Sequence, residues 1–515
     1  MFFPKIGTES QAAQVPISIP LQPTPSVDQL HKHSPSSLET PNALHLATDK
    51  ILAECPRLRV LVVGKVRFFK EHKSRLDETA QSGAGKSSLI SCIFGVKVTS
   101  VSHKERGRCD IKEEIFSSQN SCLVLHDSMG FEHGNAENFN DAKIFIEERS
   151  DKNRPMKERL HVVWLCIKIP TAGGRVFETG DEKLLEIAFE KDVPVVVVFT
   201  QYDVLFYSVF RRLPPSKGRE ELCKEQATRQ FMDSCLKHLE PLYEKYPDLS
   251  YIRTSGLAGG AQSNLDPASL DELVQTTRRL VDKYFPGDAW IVSAMAQRAS
   301  AQVNIEGSVA IGMKMYWRGL ASSTNFSGHK LESCLNTVHN DMTASWNFYD
   351  PEDLLRSPDF VEKIRKLAQF VTPSTAEAKS WLDPLLGVAT GLGPAAVVAV
   401  PAVAAIALSV TFVRFIAKGY HQTPETLRCF MGYIIDLTLI LEQLFRVTLS
   451  KSSSPLTNED IDKAFENYKN AGLGMVHRRI REFVAAESFA EIIKGSEAEE
   501  RVKELIWEFS GLKDI

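Results

Sequence analysis

The chain lacks any pair of cysteines at C-x-x-C spacing. Its nine cysteines, at positions 55, 92, 109, 122, 166, 223, 235, 334 and 429, are scattered and odd in number. That pattern speaks against a disulfide framework and against a zinc site. Cys122 and Cys166 sit inside apolar runs, as the reduced cysteines of a cytosolic protein do. Excess charge is also missing: 61 Lys and Arg stand against 65 Asp and Glu, so no global basic field points to nucleic acid as a partner. The opening MFFPKIGTES has no long apolar stretch, which leaves a secretory signal unsupported and a cytoplasmic location expected. No internal repeat is visible. What the chain does have is apolar material. Hydrophobic residues make up 43% of 515, enough for two or three domains with real cores.

Residues 1–45 carry seven prolines among Ser, Thr and Gln, with few charges and no period. They read as a disordered arm. From 46 to 287, apolar runs alternate with helical patterns. The runs are Val60–Val63, Cys122–Leu125, Val162–Ile167 and Val193–Phe199. The last is apolar throughout, as a strand covered on both faces must be. Such alternation predicts an α/β domain with a mostly parallel sheet. Residues 288–383 read as a helical extension, and 384–515 as an apolar segment followed by a helical C-terminal region. Pro384–Val413 is thirty residues without a charge, followed by Arg414 and Lys418. That length exceeds a bilayer span, yet Gly391, Gly393, Pro394 and Pro401 interrupt it. A membrane-inserted helix or re-entrant hairpin and a buried helical hairpin both remain open. Three capped helices then follow. Thr423 precedes Pro424 and Glu425, with proline at the first helical position. Thr457 with Asp460, and Ser496 with Glu499, have capping-box spacing. Gly472 and Gly511 mark helix ends.

The chemistry begins at Gly64-Lys65 and resumes at Ser82-Gly83-Ala84-Gly85-Lys86-Ser87-Ser88. With Val66–Gln81 removed, the chain reads VLVVGK-SGAGKSSLI, the full G-x-x-x-x-G-K-[ST] phosphate loop between a strand and a helix. In that reading backbone N–H groups from Gly83 to Ser87 cradle phosphates at a helix N-terminus. Lys86 reaches the β- and γ-phosphates, and Ser87 places its hydroxyl on magnesium. Downstream, LVLHDSMG ends an apolar run in Asp127-x-x-Gly130. Asp127 would hold the Mg2+ and the Gly130 N–H would meet the γ-phosphate. In VVVVFTQYD, Asp203 at the strand end can accept two hydrogen bonds from guanine, a geometry that rejects adenine and argues against an ATPase.

The segments GK…SGAGKSS, DSMG and TQYD, in that order, resemble the G domains of translation-factor-class P-loop GTPases. DIKEEI, DSMGFEHG, HVVWLCI and VPVVVVFTQYDVL look more closely like fungal large G-domain-containing proteins. The likeness continues into AQRASAQVNIEGS, MYWRGL and WNFYDPEDLL. It implies a P-loop G domain, GTP or GDP with Mg2+, and switch-like hydrolysis. Thr200 would open the base motif, and Ser255 in YIRTSGL would lie on the base-contacting loop.

Four departures bear on activity. Gln201 replaces the lysine that packs over the base. Phe131 stands where a glutamine would orient water, so hydrolysis would turn to Glu132, His133 or a partner protein. No threonine lies between Thr99 and Thr171 to serve the first switch. The fourth departure is the insert VRFFKEHKSRLDETAQ, which separates Gly64 from Gly83 and weakens nucleotide binding by the entropy of ordering a longer span. The expected function is therefore a guanine-nucleotide switch with slow magnesium-dependent hydrolysis. The competing reading is a nucleotide-poor pseudo-GTPase that works as an interaction or membrane-tethering protein through 384–413.

The insert has two origins to choose between, a translated intron or a regulatory insertion. Sixteen whole codons leave the frame intact, Lys65-Val66 and Gln81 are compatible with splice boundaries, and removal restores the motif without a scar. The intron reading predicts transcripts that join Lys65 directly to Ser82. Deep sequencing that finds only the uninterrupted form would overturn it.

Overall fold

The computed structural model describes residues 44–64, 110–170, 176–256, 267–285, 300–311, 326–372, 408–449, 451–486 and 497–511, apart from short breaks, with Lys86, Leu89, Ile90, Ile291, Val292, Met295 and Ile492 as isolated positions. The arm 1–43, the insert 66–81 and most of the apolar segment (373–407) lie outside the described residues.

Six strands form one sheet: β1 (Leu58–Gly64), β2 (Ile115–Ser117), β3 (Asn120–Asp127), β4 (Val162–Lys168), β5 (Val195–Thr200) and β6 (Ser250–Arg253), in the order β2-β3-β1-β4-β5-β6. Only β2 runs antiparallel to its neighbour; the other pairs are parallel. Parallel strands need crossovers, and crossovers cover both faces. Accordingly β1 (LRVLVVG) and β5 (VVVVFT) are buried at every position. The expected α/β class and the four apolar runs thus correspond to β1, β3, β4 and β5.

Alternate strand residues feed two separate cores. On one face Leu61, Val63, Val163, Leu165, Val197 and Phe199 pack beneath α2 (Ala136–Arg149), α3 (Thr179–Glu190), α4 (Tyr202–Arg212) and α5 (Arg219–Ser234). On the other, Val60, Val62, Leu123, Leu125, Trp164, Val196 and Val198 join α1 (Ala47–Glu54), α7 (Pro267–Tyr284) and the helices after residue 300. A short α6 (Glu240–Lys245) lies between α5 and β6. The Trp164 indole N–H donates to the Thr277 hydroxyl on α7 at 3.1 Å.

The helices after 300 are α8 (Ala301–Val309), α9 (Leu331–Trp346), α10 (Pro358–Val371), α11 (Val410–Ile416), α12 (Pro424–Leu449), α13 (Asn458–Ala471), α14 (Leu473–Ala486) and α15 (Glu497–Phe509). They organise around α12, whose 26 residues are buried nearly all round, as a helix enclosed by others must be. No helix among the described residues is long and apolar enough to cross a membrane. The caps at Thr423 and Thr457 form as the sequence predicts: Thr426 N–H donates to Thr423 Oγ1 at 3.2 Å, and Thr457 and Asp460 close a capping box. Ser496 lies outside the described residues. One helix goes beyond the three expected. α14 starts directly after Gly472, so the glycine ends one helix and admits another. It also stands where a Cβ would overlap the Phe509 ring, which closes α15 onto this corner.

The helical region does not hang off the sheet as a separate body; it completes the sheet's second core. Two polar contacts fix it there. Helix α1 has no cap of its own at Leu46, and Asp341 of α9 supplies one, accepting from Ala47 N–H at 2.8 Å and Thr48 N–H at 2.9 Å. Asn347, left-handed at the end of α9, donates to Asn120 Oδ1 at the start of β3.

Three buried histidines are held neutral. His126 donates from Nδ1 to Ile111 O, and burial brings its pKa down to about 4. His161 accepts the Arg59 N–H, and burial, reinforced by the Arg59 charge, brings it to about 3. His339 donates to Leu355 O at 2.7 Å and accepts from Tyr433 OH at 2.9 Å, and burial brings it to about 4. The unfolded chain binds these protons near pH 6.5, so the unfolded state carries more protons between 6.5 and 4, and stability falls as pH is lowered through that window. A His339→Gln variant cannot titrate there. It should be less stable than wild type at pH 7, with the gap narrowing by roughly 2–3 kcal/mol toward pH 4.5. Denaturant unfolding at stepped pH measures the gap; a constant gap would refute a neutral buried His339.

Candidate functional site

Parallel strands bring their carboxyl ends to one edge. Gly64 ends β1, Asp127 ends β3, Lys168 ends β4 and Thr200 ends β5; the register pairs Val62 with Asp127, Gly64 with Cys166 and Lys168 with Thr200. β3 and β4 flank β1, although they follow one another in the chain, so the connection between them crosses β1. The sheet's direction of growth reverses there, and the crevice outside the strand ends at such a reversal is where open α/β sheets take ligands.

Lys86 and Asp127 meet at this edge. Lys86 is only 7% exposed, and its Nζ lies 3.2 Å from Asp127 Oδ1. The same ammonium donates to the Ser128 carbonyl, and Ser128 N–H donates to Val62 O. A buried ammonium is costly unless paired, so the lysine and the strand-end carboxylate hold each other in place. Cys166 lies beside them. Burial, opposed by the Lys86 charge, pushes its thiol up to about 12, so it stays protonated and is no nucleophile.

Further along, Thr200 is buried at the end of β5, and Gln201 turns the chain in the left-handed region with φ 64° and ψ 38°. That conformation is uncommon for a residue other than glycine and tends to mark sites held by their surroundings. Here the holding groups are visible. Tyr202 N–H donates to Thr254 O at 3.0 Å, and Thr254 N–H donates to Phe199 O at 2.7 Å. The turn 200–203 is thereby laced to the loop after β6, and half-buried Ser255 sits within that loop. Asp203 lies in the first turn of α4, just past the strand end where the sequence placed it. Among the described residues its Oδ1 is buried without a hydrogen-bond partner, an arrangement that favours a ligand bringing N–H donors.

The fold therefore gathers Gly64, Lys86, Asp127, Thr200, Gln201, Asp203 and Ser255 along one edge. Lys65, Ser82, Gly83, Ala84, Gly85, Ser87, Ser88, Gly130, Phe131, Glu132 and His133 lie outside the described residues. Sequence reasoning missed Thr254 and Arg253. The Arg253 guanidinium lies 4.5 Å from the Tyr202 ring centroid and braces the same turn. YIRTSGL was the available signal for both.

Among the described residues, no group of three His, Cys, Asp or Glu could hold a metal. Asp127 alone suits a magnesium ion, which keeps most of its waters and takes one or two carboxylates plus phosphate oxygens. A cleft of about 200 Å³, lined by Asp110, Lys112, Ser128, Asn138, Asp141 and Ile144, flanks Ser128. It is too small for a nucleotide, since ligand pockets run upward from about 300 Å³.

Residues 354–513 match a domain of unknown function (DUF8505). The match covers α10 to α15 and stops short of the sheet. No curated protein matches the chain.

Proposed function

We propose that this chain is a guanine-nucleotide-binding protein with a P-loop G domain, hydrolysing GTP slowly with magnesium and working as a switch. The observation that carries the proposal is the Lys86–Asp127 pair at the point where the strand order reverses. A lysine after a glycine-rich loop and an aspartate at a neighbouring strand end are the two charged groups a magnesium–triphosphate site requires. In the proposal Lys86 meets the β- and γ-phosphates, Ser87 and Asp127 hold magnesium, and Asp203 selects guanine from the laced turn at the end of β5. Magnesium would supply neutralisation of the phosphate charge. Phe131 offers no water-orienting group, so hydrolysis falls to Glu132, His133 or a partner.

The competing reading, a nucleotide-poor pseudo-GTPase serving as an interaction or tethering protein, draws on the insert, on Phe131 and on Gln201. Magnesium-dependent binding of a labelled GTP analogue separates the two. Lys86→Ala should lower affinity at least about a hundredfold, as loss of a buried ionic partner does. Asp203→Asn should erase the preference for GTP over ATP and favour xanthosine triphosphate, because an amide donates where the carboxylate accepted. Equal binding by wild type and Lys86→Ala would end the assignment.

A further inference from the structure

From Pro384 to Pro424 the chain carries no acidic residue, while Arg414 and Lys418 supply positive charge. Helix α11 lies inside this stretch and is two-sided. Phe412 and Ile416, 4% and 3% exposed, face the protein, with α9 as a neighbour. Val410 and Val413 face outward at 66% and 44% exposure. Val410 is the most exposed large apolar side chain among the described residues, and Val413 lies one turn on, next to exposed Arg414.

The backbone brings a further cation to this face. Leu331 N–H donates to Lys418 O, Tyr420 N–H donates to His329 O at 2.7 Å, and Lys330 bridges Gly419. Exposed Lys330 therefore sits beside exposed Lys418. Among the described residues, Lys330, Arg414 and Lys418 form no ion pair, whereas the next acidic residues along the chain, Glu332 after Lys330 and Glu425 after Lys418, pair with Arg365 at 2.9 Å and Arg428 at 3.0 Å. Exposed valines rimmed by uncompensated cations suit one kind of partner. Apolar side chains enter the boundary between headgroups and acyl chains while basic side chains meet anionic headgroups.

We propose that the outer face of α11, with Lys330, Arg414 and Lys418, docks on an anionic membrane surface. The contact is peripheral and needs no spanning helix. It is independent of the nucleotide site. The valines and the cations contribute separately: the first through buried apolar area, the second through a field that falls off within a Debye length and is screened by salt.

The test is co-sedimentation of the full chain with phosphatidylcholine vesicles, with and without phosphatidylserine. The chain should sediment with the anionic vesicles and release as salt is raised. Val410→Ser with Val413→Ser, and separately Arg414→Gln with Lys418→Gln, should each lower partitioning about tenfold or more, since each basic residue at an anionic surface is worth several-fold. All four positions are exposed, so both variants should keep the wild-type circular dichroism and unfolding midpoint. Absence of the full chain from the anionic vesicle pellet would overturn the proposal. So would folded variants that sediment as well as wild type, because the membrane contact would then lie elsewhere in the chain.

Discussion

Burial of β1 on both faces is the constraint on which the rest depends. A central parallel strand pairs with β3 on one side and β4 on the other and presents side chains to two cores at once. It cannot carry an unpaired charge along its length: Arg59, near its start, is paired with Glu114, and the remaining charges gather at its carboxyl end. There Gly64 stops the strand, and buried Lys86 meets half-buried Asp127, the last residue of the neighbouring β3. The two charges stabilise each other only because the register of β1 against β3 sets Asp127 level with Val62. Slipping the strands by one residue would swap the side chains that face the two cores and part the pair.

Much of this was legible from residues in order. VLVV, CLVL, VVWLCI and VVVVF announced strands because a two-face-buried strand is apolar without alternation, and the caps at Thr423 and Thr457 announced helices because their side chains satisfy local donors. The edge itself was legible as motif: Lys86, Asp127 and Asp203 were each named from their place after an apolar run. Interactions that close over long separations were not legible. Nothing near Leu46 signals that Asp341, almost three hundred residues on, caps α1. Nothing in TQYD signals that Thr254 ties its turn. A local pattern records what a segment wants; a borrowed cap records what another segment happens to supply.

The helical region shows the same economy in its interior. Asp436 of α12 is fully buried, accepting from Tyr468 OH at 2.6 Å and bonded to His477 at 2.9 Å. One carboxylate thus joins α12, α13 and α14. A buried carboxylate is a poor source of net stability, yet removing one partner is expensive, so such a group specifies which helices pair and in what rotation. The close passage of α12 over α10 depends on shape as well as polarity: a Cβ at Gly432 would overlap Val371, and Arg428 of α12 donates to the Thr372 carbonyl where α10 ends. The region that matches DUF8505 is therefore held by the Asp436 knot, the close crossing at Gly432 and further polar ties such as Arg481 to the Phe370 carbonyl, and its remaining apolar surface completes the core beneath the sheet.

That shared core bears on the interruption of the proposed phosphate loop. Twenty residues, Lys65–Ala84, stand between Gly64 and Gly85, where four would suffice without the insert. Loop closure grows only logarithmically with length, so a fivefold longer span costs about 1.4 kcal/mol, close to tenfold in an equilibrium. Both anchors of that span are fixed independently of it: Gly64 by pairing with Cys166 in β4, and Lys86 by Asp127 and the Ser128 carbonyl. Leu89 and Ile90, in the next turn after the lysine, are sealed into the core that the sheet shares with the C-terminal helices. Entropy alone therefore weakens the loop without dismantling its frame. If the insert-free chain bound the proposed nucleotide and the interrupted chain did not bind it at all, the cause would be the inserted side chains standing at the proposed phosphate site, a steric effect that the loop-length term does not contain.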